Sequence, residues 1–320
     1  MVGKSILVDG VELVVTGTVF KTASVKYEWD VTLANPESLI TNLRTTRLGA
    51  DVFTFRQRLP ESRRKYPYAM EWDNVAAIPI TDYQTWLWKQ IHRNARNKLK
   101  KAEKEGVVVR TVECNDALFQ RIKEIQDECP IRQGARFQHY GKDLETVRRG
   151  HGTFLDRATF LGAFFKEEMI GYLKVVQTVG SARVMGLLTK IRYNEKAPMN
   201  ALIAKAVEIC AEKRIPFLAY AKYSYGGSES TTLIEFKTFN GFEHILLPRY
   251  YVPLTWKGGL ALRLRYQHGL AEYLPRPVIQ LGRSLRARYL EWRFRDMLIR
   301  SQPTRSDGAT KAAVATPREA

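Results

Sequence analysis

The fold is decided by residues 190–242, which read KIRYNEKAPMNALIAKAVEICAEKRIPFLAYAKYSYGGSESTTLIEFKTFNGF. Apolar side chains recur there at the spacing of one buried helical stripe: Met199, Leu202, Ile203, Ala206, Val207 and Cys210. Pro198 suits the first turn of this helix, and Pro216 closes it. A short strand over 216–220, a Gly- and Ser-rich loop and a second helix follow. This order predicts an α/β fold with its chemistry in the loop after the strand.

The end of this stretch carries a family resemblance. Phe236-Lys237 followed by Asn240-Gly241-Phe242, placed after a helix that starts at Ala197-Pro198, resembles the Gcn5-related N-acetyltransferase (GNAT) superfamily. Within it, the FemAB-like branch of peptidyl and aminoacyl transferases is the most similar, over residues 84–255. The resemblance implies a mixed, mostly antiparallel central sheet flanked by helices, an α+β arrangement. It also implies transfer of an acyl or aminoacyl group to an amine or hydroxyl, in cell-envelope or polysaccharide biosynthesis.

Composition sets the broad class. A chain of 320 residues with 45% hydrophobic and 26% charged residues has the size and balance of a soluble globular protein. No run approaches 18 apolar residues and the start is not a signal peptide, so we expect a cytoplasmic protein. Three cysteines have neither the number nor the spacing of a disulfide frame or zinc site, and we expect no metal. The net charge of +18 predicts attraction to nucleic acid, anionic lipid or a phosphate-rich donor.

The chain divides into four predicted segments. Residues 1–83 form a small strand-rich lobe, which the resemblance interprets as a shortened GNAT-like lobe, with strands near 6–8, 11–15, 25–33, 52–55 and 75–80 and a helix after Asn35-Pro36. Residues 84–255 form the transferase domain, 256–300 a basic helical extension and 301–320 a disordered tail.

A basic helix opens the transferase domain. Between residues 84 and 105 a single helix is predicted, ended by Gly106, with a strand over 107–112. This helix holds seven lysines or arginines against two glutamates. Two interpretations remain open: a solvated helix face, or an electrostatic surface for an anionic donor or RNA.

The loop over residues 130–142 is the predicted substrate site. It follows an amphipathic helix around 118–125 and is dense in side chains that donate, accept or stack: Arg132, Gln133, Arg136, Phe137, His139, Tyr140 and Lys142. The two arginines can hold a carboxylate or phosphate, and His139 or Tyr140 can exchange a proton. The alternative is an ordinary surface loop with Phe137 and Tyr140 packed inward.

Three strands over 159–165, 169–177 and 183–190 form a meander that leads to the predicted donor turn. In the superfamily this turn reads Arg or Gln, two residues, Gly, one residue, then Gly or Ala; here residues 192–197 are RYNEKA. Glu195 replaces the glycine, adding a side chain and a negative charge where the ligand is anionic, which argues against acyl-CoA in the usual mode. Candidate donor-binding residues are Lys190, Arg192, Lys196, Ala197 and Asn200, unless the cations are only a charged strand end. The donor is acyl-CoA or another phosphate-bearing carrier, such as an acyl carrier protein or aminoacyl-tRNA.

The catalytic candidates depend on the resemblance. Many acetyltransferases carry a tyrosine where this chain has Phe236, and FemAB-like enzymes carry the Phe-Lys pair. The resemblance therefore implies that Lys237 holds the donor or stabilises charge at the reacting carbonyl. Tyr223 and Tyr225 are alternative acids.

The extension over 256–300 mixes Leu, Tyr, Trp and Phe with ten lysines or arginines against three acidic residues. It is predicted either to dock on its own domain or to lie on an anionic membrane, at the inner face. A non-catalytic module that binds RNA or a membrane surface is the alternative to the enzyme. The sequence leaves the oligomeric state open.

Overall fold

The computed structural model describes residues 4–46, 49–132, 135–224 and 231–266. The predictions for Gln133, Tyr225, the extension beyond residue 266 and the tail over 301–320 lie outside these ranges. Within them, no helix is both long enough and apolar enough to cross a membrane.

The N-terminal part contains β1 Lys4–Val8, β2 Val11–Thr16, β3 Thr22–Val25, α1 Pro36–Thr45, β4 Val52–Arg56 and β5 Ala69–Pro79. The predicted hairpin and the predicted helix are confirmed, and the Asn35 side chain caps α1 by accepting from Ser38 N at 3.2 Å. The predicted strand over 25–33 is wrong. Tyr27 adopts a φ of 56° and its carbonyl accepts from Asp30 N at 2.8 Å, so the chain turns directly after β3.

The single helix predicted over 84–105 is also wrong, because it is interrupted. The structure has a short helix α2 Tyr83–Thr85, a π-helical turn Trp86–Gln90 and, after a break, α3 Arg93–Lys104. The break is held from outside: His92 N donates to Phe239 O at 3.0 Å, and its ring stacks on Phe239. Tertiary contacts therefore override the helical pattern.

The remaining predicted elements occur in the predicted order, together with two short paired strands inside the loop over 130–142 and a helix after it, none of which was predicted. They are β6 Val107–Val112, α4 Asp116–Gln126, β7 Ile131–Arg132, β8 Ala135–Arg136, α5 Leu144–His151, β9 Ala158–Phe165, β10 Glu168–Thr178, β11 Ser181–Thr189, α6 Pro198–Glu212, β12 Phe217–Ala219, α7 Thr231–Phe239, β13 Glu243–Pro253 and α8 Trp256–Arg263. A 3₁₀ turn, Ile191–Lys196, joins β11 to α6. The meander, the long helix and the strand after it are confirmed.

Within the described residues, eleven strands form one sheet in the order β1-β2-β3-β4-β13-β5-β12-β11-β10-β9-β6. Most neighbours are antiparallel, and the pairs β3/β4 and β11/β12 are parallel. The predicted fold class is confirmed. Because β13 lies between β4 and β5, sheet hydrogen bonds cross the boundary predicted at residue 83. The division into a lobe over 1–83 and a domain over 84–255 stays a prediction.

The predicted apolar stripe of α6 packs against the sheet. Leu202, Ile203, Val207 and Cys210 are each at most 1% exposed. This packing fixes α6 over β9, β10 and β11 and sets the position of its N-terminus.

Candidate functional site

A cleft opens where β11 and β12 part. These parallel strands pair only at Ala182 with Leu218 and at Arg183 with Ala219. Beyond this point the chain follows β5 instead, because Tyr220 N donates to Ala76 O at 2.7 Å. Strand β11 continues to Thr189 with only β10 as its neighbour, so a gap remains between its C-terminal half and Tyr220.

The gap is part of a cavity of about 780 Å³. Its walls come from β11, the 3₁₀ turn, α6, α7 and the loop after α4, with one residue from α3. The described lining residues are Lys98, Ile131, Arg132, Arg136, Phe137, Gln138, His139, Leu187, Leu188, Thr189, Ile191, Asn194, Ala197, Pro198, Met199, Asn200, Tyr220, Thr232, Leu233, Glu235, Phe236 and Phe239. The volume and the apolar walls with a few polar groups are typical of a small-molecule site.

The N-terminus of α6 forms part of the cavity wall. Ala197 takes a left-handed φ of 54° and its N–H donates to Asn194 O at 3.1 Å, which turns the chain sharply into Pro198. No side chain among the described residues caps this turn. Helix N-termini carry unsatisfied N–H groups and partial positive charge, so this wall suits an anion or a developing oxyanion.

An amide pair joins α6 to the end of α7. Asn200 Nδ2 donates to Asn240 Oδ1 at 2.9 Å, and Asn240 Nδ2 donates to Phe236 O at 2.7 Å. Trp86 Nε1 donates to Asn240 O at 3.0 Å. The predicted donor residue Asn200 thus lines the cavity, but its side-chain N–H is engaged in holding the walls together.

The predicted substrate loop contributes one side of the cavity. Arg132, Arg136, Phe137 and His139 line it, whereas Tyr140 and Lys142 are not among the described lining residues. Arg132 Nη1 donates to Thr189 O at 3.1 Å and its guanidinium lies 5.1 Å from the Phe137 ring. The loop is therefore anchored to the end of β11.

His139 is the histidine in this wall. Desolvation by the surrounding protein, and then the charge of Lys142, lower the pKa of His139 below its usual value of 6.5. The ring is consequently neutral at pH 7 and can accept a proton, which is the state a general base requires.

The predicted donor cations do not line the cavity. Lys190 Nζ and Tyr193 Oη each donate to Glu168 at 2.5 Å, and Arg192 also donates to this carboxylate. Burial alone would raise the pKa of Glu168, but these hydrogen bonds outweigh it and lower the pKa to about 2. Lys196 Nζ donates to Glu105 at 2.8 Å. For Lys190, Arg192 and Lys196, these contacts fit a charged strand end better than a phosphate-binding site. Phosphate binding by these residues stays a prediction.

Lys237 is buried, with 1% of the residue exposed, and lies outside the described cavity lining. Its Nζ donates to Lys222 O at 2.7 Å and to Tyr223 O at 2.9 Å. The lysine therefore holds the loop that follows β12. Tyr223 also lies away from this lining: its hydroxyl pairs with Thr238 Oγ1 at 2.7 Å and its ring stacks on His244.

Comparison with known proteins finds similarity in structure rather than in sequence. No family model matches the chain, and no curated protein matches it. The C-terminal domain of a proposed lysylphosphatidylglycerol synthetase from Agrobacterium fabrum superposes with a TM-score of 0.53 at 12% identity, covering 82% of this chain and 86% of that one. The L-PGS structure from Bacillus licheniformis gives 0.53 at 14% identity, covering 82% and 88%.

The chain shares the fold of these two structures, a large, mostly antiparallel sheet flanked by helices. A conserved protein of unknown function from Bacteroides thetaiotaomicron gives a TM-score of 0.51 at 10% identity, covering 78% of this chain and 85% of that one. At these identities the similarity establishes the fold alone.

Several lining residues were not among the individual site residues predicted from the sequence. Lys98 belongs to the basic run before β6, and Tyr220 and Glu235 flank the Gly-rich loop. In the sequence these residues were marked only by their charge or by their proximity to the motif. The sheet and α6 bring these distant segments together, and the sequence pattern does not show this. Glu195, which replaces the expected glycine, is exposed and absent from the described lining. Its charge therefore bears less on this cavity than the sequence suggested.

Proposed function

We propose that this protein is an acyltransferase that moves an acyl or aminoacyl group from a phosphate-bearing donor to an amine or hydroxyl acceptor. The observation that supports this most directly is the cavity between the parted strands β11 and β12. Its wall includes both the uncapped N-terminus of α6 and His139 with its lowered pKa. One group suits a developing negative charge and the other accepts a proton, which are the two needs of acyl transfer.

The chemistry we propose is direct attack. The acceptor nitrogen or oxygen attacks the acyl carbonyl carbon, its proton passes to His139, and the bond from the acyl carbon to the donor oxygen or sulfur breaks. His139 then returns the proton to the departing donor atom. Charge on the carbonyl oxygen is stabilised by N–H groups of the first turn of α6. Direct attack fits because the described cavity lining contains no cysteine or serine, and Thr189, one of its two threonines, donates its hydroxyl to Asn194 Oδ1 at 3.3 Å.

The donor we favour is a polyanion. Five cations lie on the exposed face of α3: Arg93, Lys98, Lys100, Lys101 and Lys104. Lys98 is also a lining residue, so this face adjoins the cavity. A row of cations matches a nucleic acid backbone better than the few phosphates of CoA, which favours aminoacyl-tRNA over acyl-CoA. An acyl carrier protein is the other donor of this charge type.

The proposed class of acceptor is broader than that of the donor. Two of the similar structures are named as lysylphosphatidylglycerol synthetases, a name that specifies an aminoacyl group on a lipid. Together with the cationic surface, this supports an acceptor from the cell envelope and a protein that works at the inner face of the membrane.

A thermal-shift screen with acyl-CoAs, acyl carrier protein and aminoacyl-tRNA tests the donor. A ligand that binds the folded protein at 100 times its Kd stabilises it by about 2.7 kcal/mol. We expect a shift with aminoacyl-tRNA that weakens at least tenfold in apparent affinity in Lys101→Glu/Lys104→Glu. The control Arg149→Glu/Lys166→Glu reverses two exposed cations on other elements and should bind normally. A thermal shift with acyl-CoA that the α3 substitutions do not change would support the transferase but contradict a polyanionic donor. No shift with any donor would reject both.

A non-catalytic RNA-binding module is the second candidate, and the cationic face of α3 favours it. That module predicts steeply salt-dependent RNA binding, no preference for the aminoacylated form, and no effect of substitutions at His139. A transferase predicts a preference for the charged donor.

A further inference from the structure

We infer that α8 is an interfacial docking helix that places the protein on an anionic phospholipid bilayer. The helix exposes a line of large apolar side chains: Trp256 is 76% exposed, Leu260 is 45% exposed and Leu264, just after the helix, is 58% exposed. We call these three residues the α8 stripe. Successive helical residues are about 100° apart, so adjacent members of the stripe are about 40° apart around the axis and the whole stripe spans about 80°.

The orientation of α8 is fixed by its opposite side. Gly258 and Ala261 are buried, and a Cβ at Gly258 would lie 1.8 Å from Asp51 O. Thr255 caps the helix through Gly258 N at 3.1 Å and donates to Asp51 Oδ1 at 2.8 Å. The buried side is centred about 130° from the stripe. Backbone packing therefore holds the apolar residues outward, which a loosely attached helix would not do.

Charge identifies the occupant. Lys257, Arg263 and Arg265 are exposed around the stripe, and residues 254–266 contain no carboxylate. Apolar side chains between cations match a bilayer with anionic headgroups, where Trp and Leu enter the interface and the cations remain at the phosphates. Bound RNA would leave the apolar α8 stripe exposed to water. A second copy of this protein would bring the cations of the two copies close together. The sequence continues with the same bias, since 256–300 holds ten basic and three acidic residues.

Vesicle flotation of the full chain tests this docking without any donor or acceptor, so its outcome is independent of the transferase proposal. The probes are vesicles of phosphatidylglycerol and phosphatidylcholine, and vesicles of phosphatidylcholine alone. We expect binding to the anionic vesicles, reduced at least tenfold in Trp256→Ser/Leu260→Ser and in Lys257→Glu/Arg263→Glu.

The control Trp72→Ser/Leu246→Ser removes an exposed Trp and Leu elsewhere, which are 53% and 43% exposed, and should bind like the wild type. Melting temperatures are measured for every variant. The proposal is overturned if the wild type does not bind the anionic vesicles, or if both α8 variants bind them as well as the wild type does. A large fall in melting temperature in Trp256→Ser/Leu260→Ser with unchanged vesicle binding would show that the chain itself covers the stripe. Loss of a dimer with unchanged vesicle binding would show that a second copy does.

Discussion

Lys237 matches the motif, and in the structure its side chain holds a loop, while its catalytic role stays a prediction. The Phe-Lys pair predicted a lysine at the reacting carbonyl, whereas the structure places its ammonium on two loop carbonyls, 2.7 and 2.9 Å away. The sequence identifies the lysine but does not show where its side chain points in the fold. That direction depends on how α7 lies against the loop after β12, which is set by contacts distant in the chain.

Lys237→Met should therefore act mainly on stability. It retains an apolar stem but leaves the carbonyls of Lys222 and Tyr223 without this donor, so we expect a loss of about 2 kcal/mol in the free energy of unfolding. Urea denaturation measures it, with Lys100→Met at an exposed position on α3 as the control. Unchanged stability with abolished turnover would instead support the catalytic role.

His139 should determine the acid side of the pH profile. If it is the general base, kcat/KM falls as pH drops through the His139 pKa, which lies below 6.5. His139→Gln should lower turnover at least tenfold and remove this acid limb. Lys142→Ala should move the limb to higher pH, because removing a nearby positive charge raises the pKa of the imidazole. A limb that Lys142→Ala leaves in place would point to a different base.

At the scale of elements, periodic segments were predictable and their interruptions were not. The α6 stripe and the meander repeat at 3.6 and 2 residues, and both are confirmed. The break at Ile91-His92 has no local signal, since it depends on a hydrogen bond to Phe239, far along the chain. The cavity could not be predicted from the sequence either. It arises because β12 leaves β11 to follow β5, which is a property of the sheet.

Glu168 joins the start of β10 to the turn before α6, and its stabilisation should depend on pH. Because its pKa is lowered from 4.5 to about 2, its contribution is present above pH 4.5 and disappears as pH falls towards 2. Its side chain is 34% exposed, so screening limits the loss in Glu168→Gln to about 1 kcal/mol at pH 7.

Thermal melts of the wild type and Glu168→Gln at pH 7 and pH 3 measure this effect, with the exposed Glu195→Gln as the control. The difference between wild type and variant should narrow at pH 3. A difference that is equal at both pH values would contradict the assignment.

For the whole molecule, the ionic cluster around Arg249 joins the two predicted segments on either side of residue 83. Arg249, on β13, donates to Asp73 at 2.8 Å and also to Glu28. Burial opposes the charge, but both carboxylates raise the pKa of Arg249 above its usual range. We expect Arg249→Met to cost about 3 kcal/mol, because Glu28 and Asp73 lose their closest cation and keep only the longer pairs with Arg56 and Lys222.

Calorimetry of the wild type and of Arg249→Met tests this connection. The control Arg157→Met breaks the more exposed pair with Asp30 and should cost about 1 kcal/mol. One cooperative transition that moves as a unit is expected for the part of the chain the structure describes. Two transitions, with only one shifted, would support separate folding of the segment before residue 83.

Acyl transfer in the cavity is tested most directly by a transfer assay that needs no knowledge of the natural acceptor. Hydroxylamine at low concentration is a small nucleophile, and radiolabelled acyl-CoA, acyl carrier protein and bulk aminoacyl-tRNA are the donors. We predict hydroxamate formation above the uncatalysed rate with one donor class, aminoacyl-tRNA by preference, and at least a tenfold loss in His139→Gln. The same rate with and without protein for every donor, from a folded protein that binds RNA tightly, would contradict the transferase.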